Sequence, residues 1–155
     1  MSYFATGGTG FIGRYLIDNL VKRKGTIHVL VRKDSLKKFQ AMARKQGWDP
    51  KRVVAVTGDM TAGKVQHFFH LAAIYDLTAN AQAQRVANID GTQNALDLAA
   101  ALKVKCFHHT SSIAAAGLYP GVFREDMFEE AEGLKDPSLR TKHESEGLVR
   151  KECKV

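Results

Sequence analysis

Three glycines at a spacing of three, Gly7-x-x-Gly10-x-x-Gly13, follow directly on the short apolar run Ser2–Thr6 and open a segment with helical periodicity. No other feature of this sequence narrows its fold as far. A strand that breaks into a glycine turn and then a helix aims free backbone N–H groups and the positive end of a helix dipole at one point, an arrangement made for anions. Each glycine has its own task. Gly7 permits the tight turn, Gly10 lets the backbone approach a pyrophosphate, and Gly13 lets the helix pack closely. The reading is a dinucleotide-binding βαβ unit with Gly7, Thr9, Gly10, Phe11, Ile12 and Gly13 at the cofactor.

The rest of the chain alternates short apolar runs with longer amphipathic segments, which predicts an α/β fold with a parallel sheet. Strands are expected at Ser2–Thr6, Thr26–Val31, Arg52–Thr57, His67–Ala73 and Cys106–Ser111. The first helix runs from the glycine loop to Lys24, with Ile12, Leu16, Leu20 and Val21 on one face and Gly25 as its C-cap. A second covers Leu36–Gln46 and a long one Ala81–Lys103, with Leu96, Leu98, Ala99 and Leu102 in the core. A last helix opens at Asp136-Pro137, an N-cap followed by proline at the first helical position. Together these give a Rossmann-type doubly wound parallel sheet in three α/β/α layers.

One connection is too short. Residues 60 to 66 alone separate Asp59 from His67, whereas a crossover between parallel strands takes about 10–12 residues or more. Residues 1–155 therefore read as one NAD(P)-binding domain that lacks residues near 60–64, and that stops at Val155 before a sixth strand and a substrate-binding domain. Partners on this reading are a homo-oligomer or further domains of the same chain.

The chain carries 23 lysines and arginines against 16 acidic residues, a net charge of +7. Solvated helix faces and a phosphorylated ligand both account for this. Nucleic acid does not, because no aromatic-interleaved basic stretch or helix-turn-helix pattern accompanies the charge. No apolar run approaches the ~18–20 residues of a membrane span, and no signal peptide is visible at Met1-Ser2-Tyr3. With two distant cysteines, Cys106 and Cys153, a reduced, cytoplasmic setting is expected. His67, His70, His108 and His109 lie on or beside the fourth and fifth strands, where alternation sends neighbours to opposite faces. No carboxylate or cysteine completes a plausible set with them, and no metal is expected. The pair Ser111-Ser112 is not in a Gly-x-Ser-x-Gly elbow, which argues against a hydrolase.

The end of the second strand chooses the cofactor. An acidic residue there binds the ribose 2′-hydroxyl of NAD, and an arginine accommodates the 2′-phosphate of NADP. Here the strand ends in Arg32-Lys33, which favours NADP(H), while Asp34 leaves room for NAD(H).

Several motifs, in order, resemble the extended short-chain dehydrogenase/reductase family: the glycine loop, Gly58-Asp59-Met60, His70-Leu71-Ala72-Ala73, Asn88-Ile89-Asp90-Gly91-Thr92, and Thr110-Ser111-Ser112. The resemblance places Asp59 and Met60 at the adenine and Leu71, Ala72 and Ala73 along the cofactor. It makes Ser112 the catalytic serine. A narrower resemblance, carried by 108–117, 123–130 and 139–146, is to the N-terminal reductase domain of bacterial fatty acyl-CoA reductases, enzymes of lipid metabolism. It implies NADPH-dependent reduction of an acyl thioester or aldehyde. A nucleotide-sugar epimerase or dehydratase shares the broader motifs.

The family's catalytic pair is Tyr-x-x-x-Lys, one turn apart on one helix face. The lysine binds the nicotinamide ribose and lowers the tyrosine pKa from ~10. In this chain Lys142 is present, but Ser138 stands at the tyrosine position. The residues leave three readings open. The change inactivates the chain and leaves a nucleotide-binding module; a water held by Ser138, Ser112 and Lys142 relays the proton; or Tyr119 or Tyr75 stands in.

Overall fold

The computed structural model describes residues 1–57, 65–74 and 80–153. Gly58, Asp59, Met60 and Tyr75 lie outside the described residues. The chain divides into two compact units, Met1–Ala72 with Leu98–His108, and Ala73–Asp97 with His109–Val155.

The first unit holds a five-stranded sheet in the order β3-β2-β1-β4-β5. Its strands are β1 (Ser2–Thr6), β2 (Thr26–Leu30), β3 (Val53–Val56), β4 (His67–His70) and β5 (Cys106–His109). The pairs β1–β2, β1–β4 and β2–β3 are parallel. The strand order reverses direction beside β1, so the loop that leaves β1 sits at the crevice where doubly wound sheets bind nucleotides. The expected Rossmann-type fold is the one observed.

Helices α1 (Phe11–Leu20) and α2 (Leu36–Gln46) pack on one face of the sheet. Tyr3, Ile17, Leu20, Ile27, Val29, Phe39, Trp48 and Val53 form that core. Trp48 also donates its indole N–H to Asp18 at 2.7 Å, which ties the end of α2 to α1. Gly47 closes α2 in the left-handed conformation, φ +68°, where a Cβ is disfavoured. On the other face Phe4, Phe68 and Phe107 stack along three neighbouring strands, with centroids 4.7 and 5.2 Å apart.

Two expectations about α1 are corrected. Its buried positions are Gly13, Ile17 and Leu20, while Ile12 is 57% exposed. Ile12 lies in the first turn, ahead of the sheet. The helix also ends at Leu20 rather than Lys24, and Gly25 is not its cap. The Arg52 guanidinium donates to the carbonyls of Val21 (2.9 Å), Gly25 and Arg23. It satisfies in fixed geometry the oxygens a helix end leaves orphaned. Arg52, expected to open the third strand, is therefore a structural cap. Strands β2 to β5 are each shorter than expected at their ends.

The single long helix is replaced by α3 (Ala81–Arg85), a π turn (Val86–Asp90) and α4 (Gly91–Ala101), of which the residues from Leu98 belong to the first unit. Helix α5 (Pro137–Glu152) begins as expected, with the Asp136 side chain accepting from the N–H groups of Ser138 and Leu139. Among the described residues no helix is long and apolar enough to cross a membrane.

Candidate functional site

The loop after β1 is closed by the Gly10 N–H donating to the Gly7 carbonyl at 3.0 Å. Gly7 adopts φ +70°, and a Cβ there would stand 2.8 Å from the Leu71 carbonyl carbon and 2.9 Å from the Ala72 nitrogen. The loop thus lies backbone to backbone on the end of β4, which places Leu71 and Ala72 beside the cradle. A Cβ on Gly13 would overlap the Gly7 oxygen and lie 2.7 Å from the Gly8 Cα. Gly13 therefore serves the loop above it rather than the strand beneath. Gly8, outside the spaced motif, is equally constrained: a Cβ would overlap the Val29 side chain and stand 3.3 Å from Ile17 Cδ1. Gly10 meets only the Gly7 oxygen, at 3.2 Å.

Helix α1 opens at Gly10 with no side-chain cap and no acidic residue in its first turn. Its N-terminal N–H groups and dipole are left for an external anion. Phe11 is 72% and Ile12 57% exposed, both in the first turn of α1. Thr9 is half-buried. Arg14 lies over the rings of Phe11 (5.9 Å) and Tyr15 (5.1 Å), adding a cation in the first turn that spacing arguments did not single out. Arg32 and Lys33 follow β2, next to β1, and are fully solvent-facing. At the end of β4 the Thr6 hydroxyl accepts from the Ala72 N–H at 3.2 Å and lies 2.9 Å from His70 Nδ1. Ala73 is exposed. The residues present fit a dinucleotide: a side-chain-free cradle, an open helix terminus and cations at the neighbouring strand end. A larger concavity of about 620 Å³ lies between α2 and the edge strand β3. It is walled by Phe39, Ala43, Trp48 and Val54 and carries none of this chemistry.

The second unit holds the expected catalytic residues. Ser111 and Ser112 are adjacent but differently engaged. The Ser111 hydroxyl donates to Glu146 at 2.5 Å, and Glu146 is also paired with Arg150 at 2.7 Å. The Ser112 oxygen accepts from the Ala114 N–H at 3.2 Å, capping a short 3₁₀ turn. That leaves the Ser112 proton to donate elsewhere. Both serines line a concavity of about 410 Å³, with Ile113, Phe123, Met127 and Arg150 among its walls. On α5, Ser138 and Lys142 are half-buried and separated by one turn. Burial lowers the Lys142 pKa below its ordinary value. His109 is also lowered, first by burial and then by Lys142, against an opposing effect of Glu146. Tyr119 packs edge-on against Phe123, with centroids 5.5 Å apart.

The π turn explains the Asn-x-x-Gly-Thr motif. It carries Asn88 into the interior, 2% exposed. There its oxygen accepts from the Ile74 N–H at 3.0 Å and its amide donates to Thr141 at 3.2 Å. Thr92 donates back to the Asn88 carbonyl at 2.6 Å. Asn88 thus braces the backbone after β4 against the helix that bears Ser138 and Lys142.

Residues 5–155 match the family described as male sterility protein, an NAD-binding family. The chain belongs to that family. Its membership bears out the resemblance to the extended short-chain dehydrogenase/reductases. Aldehyde reductase lnaA of Aspergillus flavus is 30% identical over 138 residues, covering 74% of this chain and 13% of that protein. A linear gramicidin synthase of Brevibacillus parabrevis is 28% identical over 172 residues, covering 93% of this chain and 3% of that protein. The aligned stretch exceeds the 155 residues of this chain, so that relative has residues where this family member has none. The terminal R domain from the myxalamid PKS-NRPS biosynthetic pathway superposes with a TM-score of 0.78 at 25% identity, covering 97% of this chain and 45% of that one. The chain spans less than half the length of each of these proteins.

Proposed function

We propose that this chain is the cofactor-binding part of an NADP(H)-dependent reductase acting on an acyl thioester, such as a fatty acyl thioester, or on an aldehyde. The observation that carries the reading is the open N-terminus of α1 under the glycine loop, with Arg32 and Lys33 at the neighbouring strand end. The cradle holds the pyrophosphate, and Asp59 and Met60 take the adenine. Leu71, Ala72 and Ala73 line the cofactor, and the two cations face a 2′-phosphate. When bound, the cofactor supplies hydride to a carbonyl carbon. Ser112, whose oxygen is already held by a backbone N–H, donates a hydrogen bond to the carbonyl oxygen as negative charge grows there and keeps its proton. Lys142 orients the nicotinamide ribose. Ser138, shorter and far less acidic than a phenol, leaves proton delivery to a water between these groups. A carbonyl substrate is accommodated in the concavity beside Ser112. The link between β3 and β4 is shorter than a parallel crossover needs, and residues are missing from it near 60–64.

The test is a fluorescence titration of NADPH and NADH on the native chain and on the Arg32→Ser/Lys33→Ser double variant, followed by assays with acyl-CoA, aldehyde and sugar nucleotide. The reading expects tighter NADPH binding, a preference lost in the double variant, and no sugar-nucleotide turnover. NADH preference in the native chain would reject the cofactor assignment, and sugar-nucleotide turnover the substrate class.

A further inference from the structure

Strands β4 and β5 begin His67-Phe68-Phe69-His70 and Cys106-Phe107-His108-His109. They are neighbours in the sheet, and β5 is its edge. Side chains alternate along each strand, so Cys106 and His108 share one face. His67 joins them from the next strand. One donor atom from each of the three residues lies within 4.8 Å of the others, and His67 Nδ1 stands 3.1 Å from His108 Nε2. Cys106 stands two residues before His108 on one strand, and adjacency of the two strands adds His67, a set of three donors that the sequence alone did not bring together.

We propose that His67, Cys106 and His108 bind a thiolate- and imidazole-preferring cation of the zinc class. Zinc–nitrogen bonds of ~2.0–2.1 Å at a tetrahedral angle set two ligand nitrogens about 3.3 Å apart, close to the separation found. The sulfur needs to come within about 3.6 Å of each nitrogen for a zinc–sulfur bond of ~2.3 Å. Cys106 is exposed at the edge of the sheet, and rotation about its first side-chain torsion is unobstructed by core packing. The rings are set beforehand. His108 stacks on Phe69 with centroids 4.3 Å apart and planes within 8°. His67 stacks on Tyr3 at 5.8 Å. Exposure of Cys106 leaves a fourth position to water.

The site's place in the fold indicates its role. His67 and Cys106 open their strands, whereas the glycine loop follows the last residue of β1. The cation therefore binds at the opposite end of the sheet from the cradle and takes no part in hydride chemistry. It staples the edge strand to its neighbour, and binding to the folded state alone raises stability by mass action.

The experiment is a cobalt(II) titration of the chelator-treated, reduced chain, followed by zinc competition. Native protein and Cys153→Ser are expected to bind a single equivalent with a thiolate-to-cobalt charge-transfer band and intense tetrahedral d–d bands, both bleached by zinc. Cys106→Ser is expected to lose the charge-transfer band. His108→Gln should weaken cobalt binding by ~10-fold or more, by analogy with the 10–100-fold cost of losing a supporting ligand contact. Zinc should raise the melting temperature of native protein by several degrees more than that of Cys106→Ser. A band that survives Cys106→Ser, a band abolished by Cys153→Ser, or cobalt bound without any thiolate band would each overturn the proposal. Circular dichroism of each variant confirms that a lost signal is a lost ligand.

Discussion

Gly13→Ala probes the cradle most directly. The added methyl would sit 2.7 Å from the Gly8 Cα and closer still to the Gly7 oxygen. Carbon atoms pack at about 3.5–4.0 Å, so the loop or helix must move by roughly an ångström. Both obstacles are backbone, and neither can rotate away. Overpacking of this kind costs ~1–3 kcal/mol, and an ångström of misplacement costs about 10²-fold at a positioned site. The expected outcome is a melting temperature lower by several degrees together with NADPH affinity reduced by ~10²-fold. Gly10→Ala separates the two effects. Its methyl would meet only the Gly7 oxygen, at 3.2 Å, and otherwise enters open space, where the proposed pyrophosphate would sit. It should weaken NADPH binding while leaving the melting temperature nearly unchanged. Thermal denaturation paired with fluorescence titration reads both quantities on each variant. NADPH binding by Gly13→Ala as tight as native would refute the reasoning, because the loop would then tolerate a shift of its own backbone.

Restoring a phenol with Ser138→Tyr, in a chain joined to its substrate-binding part, should raise turnover of an aldehyde by ~100-fold, the scale of a positioned proton donor; equal turnover in both forms would show that proton delivery does not pass through this position. Asn88→Ala leaves the Ile74 N–H without its acceptor and removes one of the two hydrogen bonds at the Thr141 hydroxyl, which still donates to the Ser138 carbonyl; it should cost ~1–3 kcal/mol for the stranded N–H, read as a shift of the denaturant midpoint. Burial lowers the pKa values of His28, His108 and His109. Below the unfolded value of about 6.5 the unfolded chain then takes up protons that the folded chain refuses. Melting temperature should accordingly fall as pH drops from 7 towards 5.5, and His28→Gln should flatten part of that slope.

Much of this architecture was legible in the residues, and the reasons differ by element. Strand β1 and helix α2 have the bounds that alternation and periodicity predict, because each is bordered by residues that stop it. Helix α1 does not, because its end is fixed by Arg52, distant in sequence, and no local signal announces a tertiary cap. The interruption of Ala81–Lys103 was hidden for a related reason. A π turn adds no special residue; it is selected by the buried hydrogen bonds of Asn88, whose partners Ile74 and Thr141 lie on other elements. At the site, Gly7 and Gly13 follow from spacing, but Gly8 depends on Val29 across the strand pair. The two serines could be ranked from resemblance, whereas the reason for the ranking, Glu146 engaging Ser111, needs the fold.

Arg52 has a further consequence. Helix α1 carries uncapped amides at one end and, just beyond the other, the carbonyls that Arg52 grips from the position before β3. A helix is a stiff rod of ~1.5 Å per residue, so its two ends cannot be repositioned independently. The edge strand of the sheet thereby sets the height at which the cradle stands. On the proposed reading, affinity for the dinucleotide is adjustable from a residue outside the cradle, and a lysine at position 52, unable to span several carbonyls at once, would shift the loop without changing a residue in it.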